Sequence, residues 1–163
     1  LFKSTSYSIK ATTRVHVVEL LKKFLFQVIT NLGIDVNFES NIRDKTININ
    51  MYTDKSGLLI GKNGETLKAL EILAKQKINQ EYNCFIKLNL DIENYKLKRT
   101  ENLERLAKKT AREVRSTKVE ASLENMNSFE RRIIHNALTN FKGIKTLSEG
   151  EEPNRHVIIK PTE

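Results

Sequence analysis

Two short runs in this chain carry residue types suited to holding a phosphate. One is Gly61-Lys62-Asn63-Gly64; the other is Arg131-Arg132-Ile133-Ile134-His135. Two glycines so spaced let the backbone turn sharply and come close to a ligand. Amide groups at the start of a following helix suit an anion, while Lys62 adds charge and Asn63 a donor. Such contacts grip phosphate and sugar and position a strand without reading its bases. In the second run, residues four apart share a helix face, so Arg131 and His135 sit together. A guanidinium is a fixed fork for phosphate, and an imidazole can supply a second hydrogen bond. This face is expected to point away from an apolar stripe of Phe129, Ile133, Ala137 and Phe141. Arg132 lies about 100° round the helix and ranks lower.

Other chemistries fit less well. A nucleotide-hydrolase phosphate loop needs four residues between its glycines, then Lys and a hydroxyl residue. Gly57 and Gly61 are three residues apart in that sense, and Asn63 stands where the hydroxyl belongs. His16, His135 and His156 fall in separate segments without a Cys at metal-ligand spacing. A metal-dependent nuclease needs a carboxylate cluster; Glu149, Glu151 and Glu152 share a turn and are expected to be solvated. The sequence therefore implies no catalytic residues, no metal, no cofactor and no enzyme.

The bulk composition agrees with a polyanionic partner. Lys and Arg outnumber Asp and Glu by 28 to 20 over 163 residues, a formal net charge of +8. A basic surface is the electrostatic footprint of nucleic-acid binding. The single Cys84 cannot form an internal disulfide, which points to a reducing, cytoplasmic setting. No apolar run reaches the roughly 20 residues that span a membrane, so no membrane insertion is expected.

The elements that must position these runs follow from periodicity. Val17, Leu20, Leu21, Phe24, Val28 and Leu32 recur at helical steps from about Thr13, and Gly33 suits a left-handed end. Alternation then predicts a hairpin, with Ile34, Val36 and Phe38 on one strand and Ile47, Ile49 and Met51 on the other, around a turn at 41–45. The glycine run leads into a helix with Leu67, Leu70, Ile72, Leu73 and Ile78. Cys84, Ile86, Leu88 and Leu90 alternate in a third strand. A charged helix over 91–116 sets Leu103, Leu106, Ala107, Thr110 and Val114 opposite Lys98, Arg105, Lys109 and Arg112. Next come a strand at 119–123, a helix from Asn127–Ser128 to about Phe141, and two strands around 144–147 and 156–159. Asn127 with Glu130 forms a candidate capping box.

The segment Leu58-Leu59-Ile60-Gly61-Lys62-Asn63-Gly64-Glu65-Thr66-Leu67 resembles the signature of KH domains, and the order of elements matches the type II arrangement. The run from Met126 to His135 is similar to the domain named for its Arg-xxx-His spacing, R-3-H, as is the later run from Ser148 to Arg155. Together, over about residues 14–160, the chain resembles the bacterial Jag (SpoIIIJ-associated) family of RNA-binding proteins. Many relatives carry Pro near Asn125 and Ser128, where this chain has none.

The resemblance implies an α+β fold: a type II KH domain (α-β-β-α-α-β) over 13–91, a helical connector over 92–117 and a small α/β R-3-H domain over 118–163. Residues 1–12 are expected to be a linker or the remnant of an upstream domain. The implied partner is single-stranded RNA, with single-stranded DNA as the alternative and duplex DNA ranked below both. It would be held by Gly61, Lys62, Asn63, Gly64, Arg131, His135 and Arg155, beside a groove lined by Leu59, Ile60, Leu67 and Ile86. The implied role is regulatory, in bacterial cell-envelope growth or division. The competing expectation is a protein–protein adaptor whose KH domain mainly dimerises, with itself or with another KH protein.

Overall fold

A computed structural model of the chain describes residues 12–162, so most of the expected N-terminal linker lies outside the described residues. The chain forms two compact units, one ending at Tyr95 and one beginning at Lys96.

In the first unit, α1 (Arg14–Thr30) starts where the Thr13 hydroxyl accepts the His16 amide hydrogen bond. Gly33, at φ 72°, turns the chain out of the helix. Strands β1 (Asn37–Arg43) and β2 (Thr46–Tyr52) then pair antiparallel through a two-residue turn, Asp44-Lys45, with both φ values positive. That handedness matches the twist of the flanking strands. Helices α2 (Ser56–Ile60) and α3 (Glu65–Tyr82) form the crossover to β3 (Lys87–Ile92), which pairs parallel to β2. Parallel neighbours need such a crossover, so the glycine run sits inside it, between two helices.

One face of this β1-β2-β3 sheet packs on the helices through Ile47, Ile49, Met51, Leu88, Leu90 and Ile92. Fully burying each such side chain contributes roughly 1.5–3 kcal/mol. The other face is polar, with Asn48 bonded to both Asn41 and Asn89.

Several expectations shift here. Cys84 and Ile86 precede β3 instead of lying on it, and the turn expected over 41–45 narrows to Asp44-Lys45 because β1 runs to Arg43. The buried stripe of α1 is Val17, Val18, Leu21, Leu25 and Ile29; Leu20, Phe24 and Val28 are only half-buried and Leu32 lies beyond the helix, exposed. Ile34 and Val36 are buried but precede the strand. On α3, Ala74 takes the inner position while Ile72 and Leu73 are exposed.

The second unit begins with α4 (Tyr95–Thr117, from Lys96 on), which the sequence suggested was a connector. It is instead part of this unit's core. Leu103, Ala107, Ala111 and Val114 pack with Met126, with Ile134 and Leu138 of α5 (Ser128–Leu138), and with Val157 and Ile159 of β6 (His156–Pro161). An amphipathic stripe of this kind is stable only when covered, and the second unit covers it. The chain therefore divides near Tyr95 and not at 117. Strands β4 (Ala121–Ser122), β6 and β5 (Ile144–Glu149) form an antiparallel sheet in the order β4-β6-β5.

Candidate nucleic-acid interface

The glycine loop is built by backbone conformations that side chains resist. Gly61 has φ 71° and ψ −177°, and Gly64 has φ 79°. A Cβ on Gly61 would collide with the Thr66 hydroxyl and stand 2.9 Å from Thr66 Cβ. A Cβ on Gly64 would stand 3.0 Å from the Tyr95 ring. Between them Asn63 adopts φ 51°, a left-handed conformation that Asn tolerates better than most residues. The result is a tight single turn, Lys62–Gly64, that delivers the chain into α3. Lys62 is exposed at its tip. The Glu65 amide donates to the Lys62 carbonyl, and the positive end of the α3 dipole at this start favours an anion. Of the four expected groove residues, Leu59 and Leu67 are core, at 1% and 2% exposure, while Ile60 and Ile86 pack at its margin.

In the second unit the capping box forms as expected. The Asn127 side chain accepts from the Phe129 and Glu130 amides, each at 3.0 Å, and Glu130 Oε2 accepts from the Asn127 amide at 3.3 Å. Glu130 is buried, and its other oxygen receives Arg99 Nε of α4 at 2.7 Å.

The Arg-xxx-His pair does lie on one helix face, but that face is turned inward. The buried side of α5 is Glu130, Arg131, Ile134 and Leu138, and Phe129 is 66% exposed. The stripe expected from Phe129, Ile133, Ala137 and Phe141 is thus rotated.

Arg131 is 8% exposed. Its Nη1 donates to the Met126 carbonyl at 2.7 Å and pairs with Glu152 at 2.9 Å. Met126 in turn donates its amide to the Arg155 carbonyl at 3.0 Å, and Asn125 donates to Asn154 at 3.1 Å. Arg131 therefore braces the segment that carries Arg155, which is exposed. Glu152, which the sequence placed on a solvated turn, is the partner that keeps Arg131 paired.

His135 is half-buried, with Nδ1 at 2.7 Å from Thr146 Oγ1 and Nε2 at 2.8 Å from Ser148 Oγ. Burial first, and the Arg131 guanidinium second, hold its pKa below the usual histidine range. Thr146 and Ser148 carried no periodic signal that singled them out; residues two apart on a strand opposite a helical His would have been the clue.

His16 and His156 lie elsewhere, and among the described residues no group of His, Cys, Asp and Glu could hold a metal ion. Among the same residues no helix is long and apolar enough to cross a membrane. On the outer face of α4, Arg105, Lys108, Lys109 and Arg112 are exposed, with Glu101 and Glu104 beside them.

Comparison with known proteins divides the chain at the same place. Residues 18–92 match the KhpA/KhpB KH domain family, and residues 101–161 match the R-3-H domain family, which reaches into α4. The chain is 45% identical over 150 residues to the RNA-binding protein KhpB of Clostridium symbiosum, covering 92% of this chain and 67% of that protein. It is 36% identical over 153 residues to KhpB of Bacillus subtilis (strain 168), covering 93% and 74%. Against KhpB of Lactiplantibacillus plantarum it is 37% identical over 142 residues, but spans only 44% of that protein's length.

Proposed function

This chain belongs to the KhpB family, whose members join a KH domain to an R-3-H domain, and on that premise we propose that it binds single-stranded RNA through the sugar–phosphate backbone without catalysing a reaction. The observation that carries this is the glycine loop: two positive-φ glycines, an exposed Lys62 and the start of α3 converge on one turn. KH loops of this form clamp about four backbone nucleotides. In the second unit Arg155 is the exposed cation of the site, and Arg131 and His135 build the surface around it. A regulatory setting in cell-envelope growth or division, in the cytoplasm, is proposed from the family resemblance.

The test is fluorescence anisotropy with a labelled single-stranded RNA, comparing the intact chain with the Lys62→Asp, Asn63→Asp double variant. Both positions tolerate the change, because Lys62 is exposed and Asp accepts the left-handed conformation of Asn63. A fall in affinity of about tenfold or more, steepened at low salt, is expected. Unchanged binding would move the function to the second unit.

The adaptor alternative has one feature in its favour. Val15 and Phe26, 63% and 50% exposed, lie on one line along α1, eleven residues and so about 1100° apart round the helix. If partners survive nuclease treatment and the double substitution, that alternative takes first place.

A further inference from the structure

The ring of His135 is spanned by two hydroxyls, Thr146 Oγ1 at Nδ1 and Ser148 Oγ at Nε2. This fixes a proton count. A neutral imidazole has one N–H and one bare nitrogen. The N–H donates to one hydroxyl, which keeps its own proton for a ligand. The bare nitrogen accepts a hydrogen bond from the other hydroxyl, which is left only its lone pairs for a ligand. Whichever tautomer holds, the pair presents one donor and one acceptor.

Both residues are half-buried on β5, the edge strand of its sheet, so a ligand reaches them from the edge. Two residues along a strand span about 6.6 Å. The surroundings keep the ring neutral near pH 7. Arg131 is the charged neighbour on α5. β5 faces the ring with Thr146 and Ser148, which carry no charge, and their β6 partners Ile159 and Val157 are apolar.

A phosphodiester only accepts hydrogen bonds. A ribose 2′-hydroxyl also donates, and it is what separates RNA from DNA at a given site. Resting on the RNA-binding function proposed above, we infer that Thr146 and Ser148 form a backbone site that selects RNA over DNA. The donor hydroxyl meets a phosphate oxygen and the acceptor hydroxyl meets a ribose 2′-hydroxyl. His135 is the positioning residue that sets the direction of both protons. When His135 is protonated, both ring nitrogens donate and both hydroxyls keep their protons. Each hydroxyl then offers its proton and one free lone pair, so neither is fixed as an acceptor and the preference for RNA weakens.

The test uses the whole chain with labelled single strands of RNA and DNA of one sequence. The reading is the ratio of the two dissociation constants over a falling pH series from 7.5. The wild type is expected to prefer RNA at pH 7.5, with the preference fading only once the pH passes below the depressed pKa of His135. The Thr146→Val, Ser148→Ala double variant is expected to lose about 3- to 10-fold of that preference, the worth of a hydrogen bond, together with its pH dependence. Thr146→Ser retains the hydroxyl and is expected to retain the preference.

An unchanged ratio in the double variant, with an unaltered melting curve, overturns the inference and leaves RNA binding standing. A wild type that binds neither strand overturns the proposed function and this site with it. Should the double variant fail to fold, nitrogen NMR of the wild-type His135 ring decides. Shifts with RNA that DNA does not reproduce support the site, and identical shifts overturn it.

Discussion

The glycine loop and the Arg-xxx-His helix are both short motifs read from spacing, yet the molecule uses them in opposite directions. In the loop the motif residues are themselves the surface. Gly61 and Gly64 shape a turn no other residue fits, and Lys62 stands exposed at its tip. On α5 the motif residues face inward. Arg131 is buried against Met126 and Glu152, and His135 is tied at both nitrogens to β5. Spacing establishes that two side chains are neighbours; it does not say whether they look out or in. The same pair of types can grip a ligand or hold the parts that do.

That contrast can be broken in several places. The largest effect is expected from Gly61→Val. Its φ of 71° with ψ near 180° belongs to a region that is essentially glycine's, costing other residues about 1–3 kcal/mol, and the new side chain meets Thr66. Urea denaturation should show a loss of about 3 kcal/mol or more in the first unit, with RNA binding lost alongside. A loop that tolerates Val would mean its conformation is not set by glycine.

Arg131→Ala should come next, and as a stability effect. It strands the Met126 carbonyl and removes the partner of Glu152, costing the second unit about 2 kcal/mol, the scale of one charge-assisted hydrogen bond. Arg155→Ala is the counterpart: stability within about 0.5 kcal/mol of wild type, but weaker RNA binding and a shallower salt slope. If the two variants swap these phenotypes, the inward assignment of Arg131 is wrong.

The smallest effect is the pH dependence of the second unit. The His135 pKa is lower folded than unfolded, through burial and then Arg131. Above the unfolded value, about 6.5, both states are neutral and the full stability is present. As pH falls below it, the unfolded chain takes the proton first, and stability drops until the folded pKa is passed. Melting temperatures from pH 8 to 5 should therefore fall more in the wild type than in His135→Asn. A rising melting temperature on acidification would contradict the burial.

Legibility in the sequence followed the range of the interactions. The Asn127–Glu130 box is decided within four residues and could be placed from local pattern; the hairpin turn was placed to within three residues, over 41–45 where only Asp44-Lys45 turns. The glycine loop was equally legible, because a positive φ demands a residue type. The faces of α1 and α3 were not. Leu20, Leu21, Phe24, Leu25, Val28 and Ile29 spread over about 180° of α1, so periodicity marks an apolar half of the helix but not which part of that half meets the sheet. The apolar side of α4 was legible from its spacing, but the expectation assigned it to a connector; only the fold shows it buried in the second unit, with Leu106 exposed. The direction of Arg131 depends on Glu152, 21 positions away, and that of His135 on Thr146 and Ser148 across the unit; no local rule carries either.

The parallel pairing of β2 with β3 has a consequence in time. Asn48 meets Asn89, 41 residues further along, and closing so long a span carries an entropic cost that slows folding. The turn at Gly64 leans on Tyr95, which follows β3. On the ribosome, the glycine turn proposed to hold phosphate is therefore complete only once the chain beyond Tyr95 has emerged and the last strand has docked. A nascent chain holding Lys62 and both glycines, but not yet Tyr95, carries the motif without its clamp.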